Sequence, residues 1–136
     1  MLVDGAGVPL SIVATGANRH DVSQLEAVLD SMVIERPDIF ERPQHLCLDK
    51  GYTGEPALEI VVLRGFIPHI KSRGQEKTEL AQNPEYKARR WVVEVTHSWM
   101  NRFRKLLVRF EKNASTYLGL LMFACAFIAF RNANII

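Results

Sequence analysis

Two carboxylates, Asp49 and Glu94, stand where side chains of this sequence could hold a metal ion. Glu94 lies in the run RRWVVEVTHSWMNRFRKLLVRFEK, residues 89–112. Its apolar residues Val92, Val95, Trp99, Phe103, Leu106 and Phe110 recur at steps of 3, 4, 4, 3 and 4. That period predicts one long amphipathic helix. At about 100° per residue, Glu94, Asn101, Lys105 and Lys112 share a stripe on the opposite face, with Arg90 beside it. Residues 86–112 hold eight bases against two acids, whereas the whole chain carries a formal net charge of only +2. A concentrated basic face suits a polyanion, and a lone acid among bases suits a metal ion held beside a phosphate. The plainer alternative is a solvated face on which Glu94 pairs with Arg90 four residues earlier.

Asp49 closes the apolar run HLCLD, residues 45–49, which reads as a buried strand. An acid at the carboxyl end of a strand is where sites form in open α/β sheets. Magnesium prefers carboxylate and water oxygens, and a pair of ions can activate an attacking oxygen and stabilise a leaving one. Here the plainer role is a turn former or helix cap.

The elements that would position these acids follow in order. Residues 2–3 and 8–15 predict two strands joined by the turn Asp4-Gly5-Ala6-Gly7, a hairpin signal. Asp21 reads as an N-cap with Gln24 in a variant capping box. Val22, Leu25, Val28, Leu29 and Met32 give the helix that follows its buried face. Two prolines and mixed charges make residues 35–43 a loop. After Asp49, GYTG makes a turn, Thr53 or Gly54 caps a helix with Pro56 in its first turn, and Gly65 stops it. Residues 66–71 predict another strand, and 72–84 a polar stretch without period. A short break at 113–116 precedes the apolar run YLGLLMFACAFIAF, residues 117–130. The order implies an α/β fold with a mixed sheet.

At 136 residues the chain suits one domain, divided here into a core over 1–112 and an apolar C-terminal helix over 113–136 packing on it. Apolar content of 48% and charged content of 24% are those of a soluble globular protein. Cys47 and Cys125 both fall in apolar runs and read as reduced core residues of a cytosolic protein. The terminal run has 14 residues, against about 20 needed to span a bilayer. It reads as a buried helix, with a membrane anchor as the minor alternative, and no signal peptide opens the chain.

Three stretches carry a resemblance: LCLDKGYTG (46–54), IPHIKSRG (67–74) and RRWVVEVTHSWMNRFRKL (89–106), in that order. Together with VDGAGVPLSIVATGANRHD (3–21) they resemble the bacterial insertion-sequence DDE transposases, in particular the group of insertion sequence five. The resemblance covers residues 2–131. It implies a ribonuclease H-like core with a mixed sheet and two C-terminal helices, and three metal-binding acids, Asp, Asp and Glu. It assigns Asp49 and Glu94 as two of them, both catalytic and metal-binding. It makes Arg90, Arg102, Arg104, Lys105 and Arg109 contacts to DNA. The implied cofactor is Mg2+ or Mn2+, two ions in the complete enzyme. The implied partners are transposon ends and target DNA in a bacterial cytoplasm, with no membrane. The implied reaction is nicking at the element's ends, then attack of the freed 3′-hydroxyl on target DNA.

Two departures accompany the resemblance. The family's signature is Tyr, two residues, Arg, three residues, Glu, six residues, Lys. Arg90 and Glu94 fit it, but Lys87 holds the Tyr position and Asn101 the Lys position. The family's first catalytic Asp lies upstream of the VDGAGVPL hairpin, and Asp4 reads as that hairpin's turn residue. The expectation is therefore a catalytic-domain piece lacking its first central strand, completed by an upstream-frame product or a homo-oligomer. The alternatives are a non-catalytic DNA-binding or interfering fragment, and a decayed frame without activity.

Overall fold

The computed structural model describes residues 1–70 and 91–134. The polar stretch expected at 72–84, the end of the expected strand at Lys71, and Lys87, Arg89 and Arg90 lie outside the described residues.

Strands β1 (Leu2–Val3) and β2 (Pro9–Ser11) form the expected antiparallel hairpin, with β2 shorter than its apolar run. The Asp4 carboxylate folds back over the turn and accepts from the Ala6 and Val8 amides at 2.8 and 2.9 Å. That is the local role expected of it. Helix α1 (Leu25–Asp30) is entered through a 3-10 turn over Asp21–Gln24. The capping box on Asp21 does not form. His20 is the N-cap, and the Ser23 hydroxyl donates to its carbonyl at 2.7 Å. Once the chain enters as a 3-10 turn, the three-residue step brings Ser23 under that carbonyl.

Strand β3 (Gln44–Leu48), helix α2 (Glu55–Leu63) and strand β4 (Phe66–Ile70) make a βαβ unit with β3 and β4 parallel, Gln44 opposite Phe66 and Leu48 opposite Ile70. Gly54 precedes α2 at φ 143°, and Gly65 ends it at φ 71°, a backbone region that favours glycine. The Arg36 side chain, on the loop before β3, seals that helix end. It donates to the Gly65 carbonyl at 3.2 Å, to the Arg64 carbonyl and to Gln44 Oε1 at 2.7 Å. Its guanidinium lies 3.6 Å from the Phe66 ring centroid. Leu25, Leu29, Leu46, Ala57, Val61 and Phe66 form the core between these elements.

Helices α3 (Trp91–Met100), α4 (Arg104–Leu107) and α5 (Ala114–Asn132) follow. Helices α3 and α5 pack against each other and against the β1–β2 hairpin. Val92, Thr96, Met100, Leu121, Ala124 and Ile128 are the residues they bury.

Four expectations are corrected. No single mixed sheet forms among the described residues: β1–β2 and β3–β4 are two separate two-stranded sheets. Strand β3 is not buried on both faces, and Cys47 is exposed instead of lying in the core. A strand alternates its side chains, and helices cover only one face of this small sheet. Leu46 turns inward, while His45 and Cys47 turn out and His45 Nδ1 meets His69 Nε2 at 2.6 Å. The long basic helix is broken after Met100. Phe103 adopts an extended backbone, φ −82° and ψ 100°, and becomes the N-cap of α4. The break brings the Phe103 ring edge-on to Phe127, centroids 5.8 Å apart, so contact with α5 outweighs helix continuity. Finally, α5 is not a buried helix. Leu121, Ala124 and Ile128 make one narrow buried seam, while Met122, Phe123, Phe127 and Phe130 are exposed. At 19 residues and a mean hydropathy of 1.6 it is long and apolar enough to cross a membrane by length and composition, a test that core helices of soluble proteins also pass.

Candidate functional site

Asp49 sits where the sequence puts it, immediately after β3. Its backbone is extended, and its Oδ1 accepts from the Gly51 amide at 2.6 Å. The side chain therefore caps the 3-10 turn Lys50–Tyr52 with one oxygen and is exposed to solvent. That turn packs against the Asp21–Gln24 turn. Burial, and after it the charges of Asp21 and Asp49, push the Tyr52 phenol above its usual range. So the structure draws Asp21 into the neighbourhood of Asp49, although the sequence pattern offered it only a capping role.

Glu94 is an exposed residue in the first described turn of α3. The opposite face of α3 fixes its position. Thr96 is fully buried, and its hydroxyl donates to the Gly7 carbonyl at 2.8 Å, with the Val92 carbonyl at 3.1 Å. Gly7 has φ +88°, and a Cβ there would stand 3.1 Å from Thr96 Oγ1 and 3.2 Å from Trp99 Cζ3. Hairpin backbone thus lies directly on α3, and that close approach sets where Glu94 is presented. Burial pushes the neighbouring His97 imidazole below its ordinary range, so its charged form is disfavoured there. The sequence reading missed both Thr96 and Gly7, because a threonine inside an apolar period carries no mark of its partner.

The basic residues are dispersed by the break in the helix. Arg104 and Lys105 are exposed on α4. The Arg109 guanidinium lies 4.8 Å from the Tyr117 ring centroid. Arg102, in the bend, lines a cavity with Trp99, Phe103 and residues of α5. Arg90 lies outside the described residues. The continuous stripe from Glu94 to Lys112 therefore does not exist.

As oxygen donors Asp49 and Glu94 suit a hard divalent cation. Neither forms an ion pair among the described residues, where Arg64 with Glu26 and with Asp30 are the two found. No cluster of three or more acidic, histidine or cysteine side chains able to hold a metal forms among the described residues. The donor chemistry fits, but two acids alone do not make a complete metal centre.

The chain belongs to the transposase DDE domain family, whose model it matches over residues 46–131. It is also similar to a putative transposase for insertion sequence element IS402 from Burkholderia cepacia, at 34% identity across 94% of this chain. The chain spans 60% of that relative's length. No solved structure matches it. Domains of this family act with divalent metal ions. The family match covers Asp49, Glu94, Arg102, Arg104, Lys105 and Arg109.

Proposed function

We propose that this chain is part of the catalytic domain of an insertion-sequence transposase that cleaves element ends and joins them to target DNA. What carries the reading is Asp49 at the carboxyl end of β3 and Glu94 on α3, both exposed and neither in an ion pair among the described residues, within one transposase DDE domain. Asp49 and Glu94 would hold the divalent ion, Mg2+ or Mn2+, which when bound supplies charge stabilisation to an in-line phosphoryl transfer. Arg102, Arg104, Lys105 and Arg109, together with Arg90, would hold the DNA backbone by charge. Contacts of that kind give affinity that falls steeply with salt. The setting is the bacterial cytoplasm, where the DNA is.

The core is read as ribonuclease H-like, over residues 1–112, with residues 113–136 packing on it. The working unit is read as larger than this chain. Two observations support that reading: the chain spans 60% of its relative's length, and among the described residues β1 and β3 each have a single strand partner. A further strand between them would close two open edges and bring a third acid to Asp49 and Glu94. That strand would come from an upstream product or from a second copy.

The test is nicking of a labelled transposon end with Mg2+ or Mn2+. Loss of nicking in both Asp49→Ala and Glu94→Ala is expected. Nicking that survives in either variant refutes the site. Salt-sensitive binding without any nicking favours the second reading, a DNA-binding fragment that occupies ends. The helix break favours that second reading in one respect, since it scatters the bases instead of aligning them beside Glu94.

A further inference from the structure

A cavity of about 450 Å³ lies where the C-terminal end of α3 and the bend after it meet the last turns of α5. The reading of the chain as a DNA-acting domain leaves it unused. Trp99, Phe103 and Phe127 supply aromatic walls, and Arg102 and Arg131 stand at the cavity with no carboxylate among the described residues that line it. Asn132 adds a carboxamide, whose amino group donates to the Ile128 carbonyl at 2.9 Å. The volume lies within the range of about 300–1,000 Å³ typical of small-molecule sites.

Three features narrow the ligand. Aromatic walls suit a flat π system, since stacking on a side-chain ring does not depend on which base is presented. Two guanidiniums at one cavity suit an anion and match a phosphate in charge and geometry. The walls are also held in place. A Cβ built on Gly7 would stand 3.2 Å from Trp99 Cζ3, so the hairpin backs the indole closely, and Phe103 meets Phe127 edge-on at 5.8 Å. A flat group and an anion in one small volume describe a nucleotide. A base paired inside a duplex cannot enter such a cavity, whereas an unstacked one can.

We infer that this cavity takes one unpaired nucleotide of a DNA strand, the base against Trp99 and Phe127 and its phosphate between Arg102 and Arg131. The inference rests on the DNA-acting reading above.

The probe is Trp99 emission in a Trp91→Phe background, which leaves one tryptophan. Three ligands are titrated at one salt concentration: an intact duplex, the same duplex with one extrahelical 2-aminopurine, and deoxythymidine monophosphate. Binding of the bulged duplex is expected to be about five- to a hundred-fold tighter than that of the intact one. Quenching of both Trp99 and 2-aminopurine should accompany it. Phe127→Leu, which keeps an apolar side chain against Phe103 but removes the ring, should erase most of that preference. Arg131→Gln should weaken the bulged duplex more than the intact one. Equal affinity for the two duplexes, with Trp99 emission unmoved, overturns the inference and leaves the transposase reading standing. Mononucleotide binding as tight as the bulged duplex overturns it too, since the site would then ignore the strand. Failure to bind any DNA overturns both.

Discussion

Thr96→Val tests how the hairpin sets the catalytic helix. The substitution keeps the volume and removes the hydroxyl that donates to the Gly7 carbonyl at 2.8 Å. Thr96 is wholly buried and Gly7 is buried with it, so water does not readily replace the lost donor. Leaving a buried acceptor unsatisfied costs about 1–3 kcal/mol. With a urea slope of about 1–3 kcal/mol per molar, the midpoint should fall by roughly 1 M. Thr96→Ser is the control: it keeps the hydroxyl and loses one methyl, about 0.8 kcal/mol. Urea titrations followed by far-ultraviolet circular dichroism give both numbers. The expected order of stability is wild type, Ser, Val. Val equal to wild type, or more stable than Ser, would refute the claim that this bond anchors α3.

Gly7→Ala should cost about 1–3 kcal/mol, because φ +88° is strained for any Cβ and that Cβ would crowd Thr96 and Trp99; a thermal melt reads the loss. Arg64 bonds Asp30 at 2.7 and 3.0 Å and Glu26 at 2.7 Å, and the Asp30 carboxyl is held below its ordinary range first by that hydrogen bond. Its contribution is therefore present above the unfolded carboxylate pKa, about 3.9, and is lost as pH falls below it. The wild-type advantage over Arg64→Met should shrink between pH 5 and pH 3, measured as the difference in urea midpoint. Cys47 is exposed, whereas burial pushes the Cys125 thiol up. Ellman's reagent at neutral pH should label Cys47 first, and Cys47→Ser should remove the fast phase.

Much of the fold was legible in the sequence because its signals are local. Asp-Gly between apolar residues gave the hairpin, and Pro56 between Gly54 and Gly65 gave both ends of α2. The strand-end position of Asp49 followed from the same kind of pattern. What failed depends on contacts distant in sequence. The period through residues 89–112 is continuous, yet Phe103 leaves it to meet Phe127 on another helix. An apolar run at 45–49 looks buried until one knows that helices cover only one face of its sheet. The apolarity of α5 likewise says nothing about how little of it packs, since three residues make its seam. At the site, Asp49 and Glu94 were named by their motifs, whereas Thr96, Gly7 and the cavity beside Arg102 required the tertiary packing.

The measurement that bears most directly on the account is iron-directed backbone cleavage. Fe2+ replaces the divalent ion in the DNA-bound chain, peroxide is added, and the cut sites are mapped. Two cuts are expected, near residues 49 and 94, that rise together with Fe2+ and are competed by Mg2+. Either Asp49→Ala or Glu94→Ala should abolish both, because one ion depends on both acids. Cuts at one acid that persist when the other is removed, or no cut at either, would contradict a shared metal centre built from β3 and α3.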